Sequence, residues 1–392
     1  MALPPRLKFG IFLAPFHFPG QNPTLAIERD LELIVRLDEL DFDEAWIGEH
    51  HSAGFEIIAA PEIFIATAAE RTRHIRLGTG VSSLPYHHPL WTADRMVLLD
   101  HLTRGRAMFG IGPGALVTDA WLVGIEPTRQ RRMMEEALDA IMHLFTSTEP
   151  LTVKTDWFTL NEARLHLRPY TQPHMEMAVA TVQSPAGVTL AGKYGLGMLQ
   201  TGVAIGIRGA VDLRRQWDIA QAEADKAGKQ VKRENWRLVT PLHIAESRKE
   251  AIEDVRKLSA AFAVDYNHKV LGRAVPVDGP PEQIIDKMVE SGSWLIGTPD
   301  DVVAGIKRLD EASGGFGGLL VMAQEWTTRE KVLRSYELLA RYVMPHFQGS
   351  LAGIEPSYDN AVERMPDYQQ ATRTAIEKAH VDYEKSRTAA HA

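Results

Sequence analysis

The chain has 392 residues, with 43 basic and 51 acidic side chains, a formal charge of −8 and no cysteine. Disulfides, thiolate metal sites, iron–sulfur ligation and cysteine nucleophiles are thereby excluded, and no basic run marks a nucleic-acid surface. At 45 % apolar and 24 % charged residues, the composition is that of a globular protein, long enough for one large α/β barrel with insertions.

In chain order, Leu7–Ala14 (LKFGIFLA) reads as a first strand, closed by Pro15, and Thr24 as the cap of a helix over Leu25–Leu40. Glu44–Gly48 is a second strand, and Pro61 opens the helix PEIFIATAAERT. Ile75–Ser83 is a third strand followed by helix Pro89–Leu102, and Arg106–Gly112 a fourth followed by helix Arg129–Phe145. Met175–Val182 and helix Ser184–Lys193, Leu196–Gly202 and helix Ala210–Ala227, and Trp236–Ala245 and helix Lys249–Ala263 continue the rhythm. Gly318–Glu325 and helix Arg329–Val343 complete it. Alternating strands and helices argue for a parallel sheet, and this number of units for a closed (β/α)₈ TIM barrel. The expected barrel spans residues 1–349, with insertions at about 147–173 and 264–317, the latter holding a helix at Thr298–Glu311. Both insertions follow helices in this reading, so either acts as a lid only if the chain folds over. Residues 350–392 are a polar extension, a surface arm or oligomer contact. No apolar stretch is long enough for a membrane span. Met1–Gly10 lacks a signal-peptide pattern, so the expected location is the cytoplasm.

Barrel enzymes carry their chemistry at the C-terminal strand ends. The second strand ends in Glu49-His50-His51. One imidazole there faces the mouth, or the pair is hydrogen-bonded locally; both readings stand at this point. Neighbouring strand residues point to opposite faces, so His50 and His51 are poorly placed to share one ion, and no metal is expected. Gly110-Ile111-Gly112-Pro113-Gly114-Ala115 matches the form of a dinucleotide fingerprint, with Glu135 and Glu136 at the acidic spacing. Pro113 removes an N–H that would cradle phosphate, so a glycine-lined turn close to a ligand or helix is the better reading. Gln183-Ser184-Pro185 opens a helix with the residues of a cap and a first turn. The free N–H groups there suit a phosphate, and an ordinary capped helix is the equal alternative. Phe16, His17 and Trp326, at the ends of strands one and eight, are the candidate substrate-pocket residues.

The ordered runs KFGIFLAPFH, EAWIGEHH, IRLGTGVSSLPYHHP, LLDHLTRGRAMFGIGPG and TVQSPAGVTLAGKYG resemble the bacterial-luciferase-like flavin-dependent monooxygenases. Within that family the chain is most similar to the limonene 1,2-monooxygenase group, which the later run WLIGTPDDVVAGIKRLDEASGGFGGLLV also fits. The resemblance implies a two-component enzyme. A separate NAD(P)H-dependent flavin reductase supplies reduced FMN, or FAD, which reacts with O₂. The resulting C4a-(hydro)peroxyflavin then oxygenates a small apolar, terpene-like substrate by epoxidation, hydroxylation or Baeyer–Villiger insertion. It implies His50 as the active-site histidine, with Glu49 contacting the flavin or tuning it. It also implies a non-proline cis peptide at Gly80–Val81 beneath the isoalloxazine ring, Gly112 in the adjoining cofactor-binding turn, and Gln183 and Ser184 at the flavin phosphate. Pro113 stands where the luciferase catalytic subunit has a phosphate-binding Arg, which leaves room for weaker, transient flavin capture. Family barrels commonly pair through helices near units two and three, so a homodimer is expected. The alternatives are an F420-dependent oxidoreductase of the same superfamily, a non-catalytic flavin-binding partner subunit and, more distantly, a zinc hydrolase.

Overall fold

The computed structural model describes residues 3–4, 6–14, 16–203, 210–275 and 277–389. Pro15, expected to close the first strand, lies outside these. Eight parallel strands close into a barrel. In chain order they are Lys8–Leu13, Glu44–Ile47, Arg76–Ser83, Ala107–Gly112, Glu176–Thr181, Gly197–Gln200, Trp236–Thr240 and Gly318–Met322. The first strand pairs with both the second (Gly10 beside Glu44) and the eighth (Lys8 beside Gly318), which closes the ring. Strands buried on both faces read as continuous apolar runs, which is why they stand out in the sequence. Every residue of Ala107–Gly112 is buried.

Trp46, Met108, Ala178, Leu199, Val239 and Leu320 fill the barrel interior. Its N-terminal end is sealed by charge. Arg237, fully buried, donates to Glu44 through Nε at 2.9 Å and Nη2 at 2.7 Å, and Nη2 also lies 2.6 Å from Glu176. Trp46 Nε1 donates to the same Glu44 carboxylate at 2.8 Å. At the other end Phe12, Val81 and Met322 are only partly buried above the interior cluster. They form an apolar floor at the mouth.

Local signals hold with small corrections. The first helix runs Pro23–Glu39, and its cap is Asn22, whose side chain accepts from the Thr24 and Leu25 amides. Pro23 occupies the first helical turn, so the capping position falls before Thr24. The third helix is Pro89–Leu102 as expected. The expected seventh strand splits at Pro241. Trp236–Thr240 stays in the barrel, while Leu242–Ile244 leaves it and pairs in parallel with Leu295–Gly297. Helix Arg248–Ala261 packs against that small sheet, and Pro299–Ser313 is the helix that leads back into the eighth strand. The excursion between strands seven and eight therefore begins directly at a C-terminal strand end, beside the mouth. The earlier excursion forms an antiparallel hairpin, Leu151–Lys154 with Thr159–Ala163. Asp156 at its turn pairs with Arg129 and Arg132 of the neighbouring helix, each at 2.8 Å. After Gly349 come two helices, Ile354–Glu363 and Met365–Ala389, neither with a buried residue.

Candidate active site

The site residues sit at the C-terminal ends of strands two to five, which are successive neighbours in the barrel. The peptide Gly80–Val81 is cis, within an irregularity of strand three between Thr79 and Ser82. Gly112, on strand four, is where the Val81 side chain fits. A Cβ built on Gly112 would lie 2.6 Å from Val81 Cγ2 and 3.6 Å from the Ala180 Cβ. Gly112 thus serves the floor through Val81. Beyond it, Gln130 Nε2 holds the Pro113 carbonyl at 2.7 Å and the Tyr86 hydroxyl at 3.0 Å, which pins the turn where phosphate would pass.

On strand five the chain turns through Gln183 and Ser184 into helix Pro185–Tyr194. Ser184 takes the cap position with extended backbone, yet its hydroxyl makes no capping bond. The first-turn amides of this helix therefore keep their hydrogen-bonding capacity for a ligand, in the direction the helix dipole favours for an anion. Gln183 contributes its carbonyl to Gln216 Nε2 at 3.4 Å. The sixth strand's Gln200 is buried and donates to the Val182 carbonyl at 2.9 Å, fixing the start of this turn.

His50 has both ring nitrogens engaged. Nδ1 lies 3.0 Å from Asp119 Oδ2, and Nε2 lies 3.0 Å from Glu56 Oε2. Asp119 is, with Ala120, buried in the short helix Val117–Leu122 after strand four, and it also accepts from the His51 amide at 3.1 Å. Burial alone would lower the His50 pKa. The Asp119 hydrogen bond and the charges of Glu56, Asp119 and Glu49 outweigh it and raise the imidazole above its ordinary value. Glu49 faces elsewhere: His51 Nε2 at 2.9 Å and His87 Nε2 at 2.8 Å both meet its Oε1, and the Ser83 amide donates to Oε2 at 3.0 Å. Burial pushes this carboxyl up, but these bonds win and hold it at about 2. Glu49 is therefore an ionised anchor between strands two and three, acting on His50 only through its charge.

Among the described residues, Glu49, His51 and His87 are the one set of His, Asp and Glu groups whose donor atoms lie close enough to share a cation, within 4.8 Å of one another. Two imidazoles turned onto one carboxylate oxygen account for that convergence by hydrogen bonding alone.

The three pocket candidates separate. Phe16 and Trp326 are both 4 % exposed and belong to one aromatic cluster with Phe262, Tyr266 and Trp294 of the segment after strand seven. Phe16 lies 5.0 Å from the Phe262 and Tyr266 rings, and Trp326 lies 4.9 Å from Trp294. His17 is turned away from them, with Nε2 3.0 Å from Asp30 and Nδ1 3.5 Å from Glu325. The sequence reading passed over Glu56, Asp119, His87 and Tyr266. Only their three-dimensional convergence on the Glu49–His51 segment identifies them, because no local spacing marks such pairs.

The apolar floor of partly buried Phe12, Val81 and Met322 and a helix start that its cap hydroxyl does not fill suit a planar ring carrying an anionic tail, so the residues present fit a flavin mononucleotide. Residues 7–315 match the family described as luciferase-like monooxygenase. Limonene 1,2-monooxygenase of Rhodococcus erythropolis is 44 % identical over 383 residues, 97 % of each chain. The 4-hydroxyprotoasukamycin monooxygenase of Streptomyces nodosus subsp. asukaensis is 43 % identical, over 94 % of this chain and all of that one. Among solved structures, the oxygenating component of 3,6-diketocamphane monooxygenase of Pseudomonas putida, a type II Baeyer–Villiger enzyme in complex with FMN, superposes with a TM-score of 0.73. It is 24 % identical and is covered over 88 % of this chain and 99 % of its own.

Proposed function

Because this chain belongs to the luciferase-like monooxygenases, we propose that it oxygenates a small apolar molecule with O₂ and reduced FMN delivered by a separate NAD(P)H-dependent reductase in the cytoplasm. The observation that carries this reading is the mouth itself: the apolar floor with Val81 on strand three, His50 at the end of the neighbouring strand two, and the helix start at Ser184 after strand five. When bound, the flavin supplies the activation of oxygen; the protein supplies place, orientation and dryness.

The floor of Phe12, Val81 and Met322 supports the ring, and Gly112 leaves the space that Val81 needs. The Ser184 hydroxyl and the first amides of its helix receive the phosphate, with Gln183 in the same turn. Proline stands at 113 in place of a side-chain cation, so among the described residues named here phosphate binding rests on neutral donors. That suits a flavin that is captured reduced and released oxidised. His50, with its raised proton affinity, would present a proton at Nε2 to a bound flavin, and the ionised Glu49 anchors the strand end that carries it. The aromatic cover formed by Phe16, Trp326 and the segment after strand seven excludes water and gives an apolar substrate its surface. The relatives act on limonene and on 4-hydroxyprotoasukamycin, as their names state. The substrate class is therefore an apolar ring or alkene of modest size, with limonene the first to try.

The test is a coupled assay with a flavin reductase, NADH and a panel of cyclic terpenes and ketones, following product by mass spectrometry. The expected result is a product one oxygen heavier, reduced at least about 100-fold in His50→Gln, the lower range for loss of a positioned proton donor. Peroxide without product across the panel, or full activity in His50→Gln, contradicts the reading.

A further inference from the structure

Glu56 is an acidic residue in an aromatic setting. It follows Phe55 in the loop after strand two, its backbone bridges to Phe16, and its side chain is 3 % exposed. Nothing in the packing of Phe16, Phe18 and Phe55 asks for a carboxylate there, and burying one without partners is costly. Its partners are two. His50 Nε2 lies 3.0 Å from Oε2, and the Tyr266 hydroxyl donates to the same oxygen. Tyr266 comes from the segment after strand seven, where its ring packs against Phe16 at 5.0 Å and Phe55 at 5.4 Å.

We propose that Glu56 and Tyr266 are positioning residues for His50: Glu56 holds Nε2 in place, and Tyr266 ties that carboxylate to the segment covering the mouth. This rests on the reading of His50 as the group that meets the flavin. The groups that face this assembly are Asp119 from the short helix after strand four, Glu49 and His51 on the same strand end, and Arg273 of the covering segment, whose charge acts on Glu56. With Nδ1 fixed by Asp119, the ring has one nitrogen free to exchange partners. Nε2 must leave Glu56 before it bonds to anything in the mouth. Movement of the cover shifts Tyr266, and through the shared oxygen it alters the hold of Glu56 on Nε2. Substrate or flavin entering beneath the cover therefore changes the orientation of His50 without touching it. The device has a use: it keeps the proton of His50 engaged until the mouth is occupied, which limits wasteful release of peroxide.

The experiment compares Glu56→Gln and Tyr266→Phe with the unaltered protein. Tyr266→Phe retains the packed ring and removes only the hydroxyl, so it serves even if Glu56→Gln folds poorly. The first readout is the His50 imidazole resonance in flavin-free protein, assigned by its loss in His50→Gln and followed through a pH titration. Glu56→Gln is expected to lower the His50 midpoint by about one pH unit, a tenfold loss of proton affinity, through loss of the facing charge. Tyr266→Phe is expected to move the same resonance while leaving that of His17 in place. The second readout is kinetic. Both variants are expected to lower kcat and raise peroxide per turnover several-fold, with the substrate KM within about twofold of the parent. A His50 midpoint unchanged in Glu56→Gln, or a His50 resonance unmoved in Tyr266→Phe, overturns the proposal. Failure of the underlying reading looks different: His50→Gln itself retains full activity, whatever Glu56 does.

Discussion

His17 shows how far a residue type underdetermines its role. The sequence places it at a strand end, where an imidazole is a natural site candidate. The structure binds it between Asp30 and Glu325. Burial alone would lower its pKa, but the hydrogen bonds to Asp30 and then Glu325 outweigh this and raise it to about 9. A histidine with a raised folded-state pKa gives its full stabilisation below its unfolded value of about 6.5 and loses it as pH rises through the folded value. The window of loss is therefore about pH 6.5 to 9. The bound on the effect is about 3 kcal/mol. Burial pushes the Asp30 carboxyl up, which offsets part of that gain. Thermal midpoints measured across this window are expected to fall in the parent and to fall less steeply in His17→Gln; parallel curves would contradict the assignment. The proposed site residues divide the same way. His50, Glu49 and Ser184 stand at strand ends and were legible. Asp119 lies 69 positions from His50, and Tyr266 lies 210 from Glu56, so their pairing leaves no trace in any local pattern.

At the scale of elements, the strands were legible because a closed parallel barrel buries them on both faces. The seventh strand was overread because the apolar run WRLVTPLHIA continues through Pro241 while the pairing does not. Proline lacks the N–H that the ladder needs, and the chain changes sheets there. That single break moves helix Arg248–Ala261 from the barrel wall into the covering segment, and places the segment at the mouth. The Gly110-Ile111-Gly112 run likewise matched a pattern for one reason and is used for another. Gly110 lets strand four approach the Thr79 carbonyl, 2.1 Å from where a Cβ would stand, and Gly112 makes room for Val81. Gly112→Ala must displace Val81, a change in overpacking that costs about 1–3 kcal/mol. Because Val81 is part of the floor, reduced-flavin affinity is expected to fall at least about tenfold. Titration of the two proteins checks this, and equal dissociation constants would show that the floor does not bear the ring.

On the scale of the whole molecule, the buried Arg237 ion-pair network and the proposed site occupy opposite ends of the barrel. The N-terminal end is closed by Arg237 between Glu44 and Glu176, with Lys8 3.6 Å from Glu44. Arg237→Met leaves the fully buried Glu44 with only Lys8, at 3.6 Å, as a cation, and leaves the partly buried Glu176 to Arg76. Removing one member of such a network costs about 3–5 kcal/mol. The urea midpoint is expected to drop accordingly while the His50 resonance keeps its position, and an unchanged midpoint would contradict this view of the N-terminal end. After Gly349 the helices Ile354–Glu363 and Met365–Ala389 bury nothing, yet carry Tyr358, Val362, Met365 and Tyr368 exposed. We propose this extension as a contact between copies in a homodimer, in keeping with the reading of residues 350–392 as an arm. Its helices were not legible because the run is mostly polar and its apolar residues, such as Tyr358 and Val362, meet no core of this chain.

The measurement that bears most directly on the account is anaerobic titration of the purified protein with reduced FMN, reduced FAD and reduced F420, followed by ¹⁸O₂ and limonene. Saturable binding of reduced FMN and a product carrying one ¹⁸O atom are expected. Selective binding of reduced F420, with no labelled oxygen in any product, would contradict the monooxygenase reading.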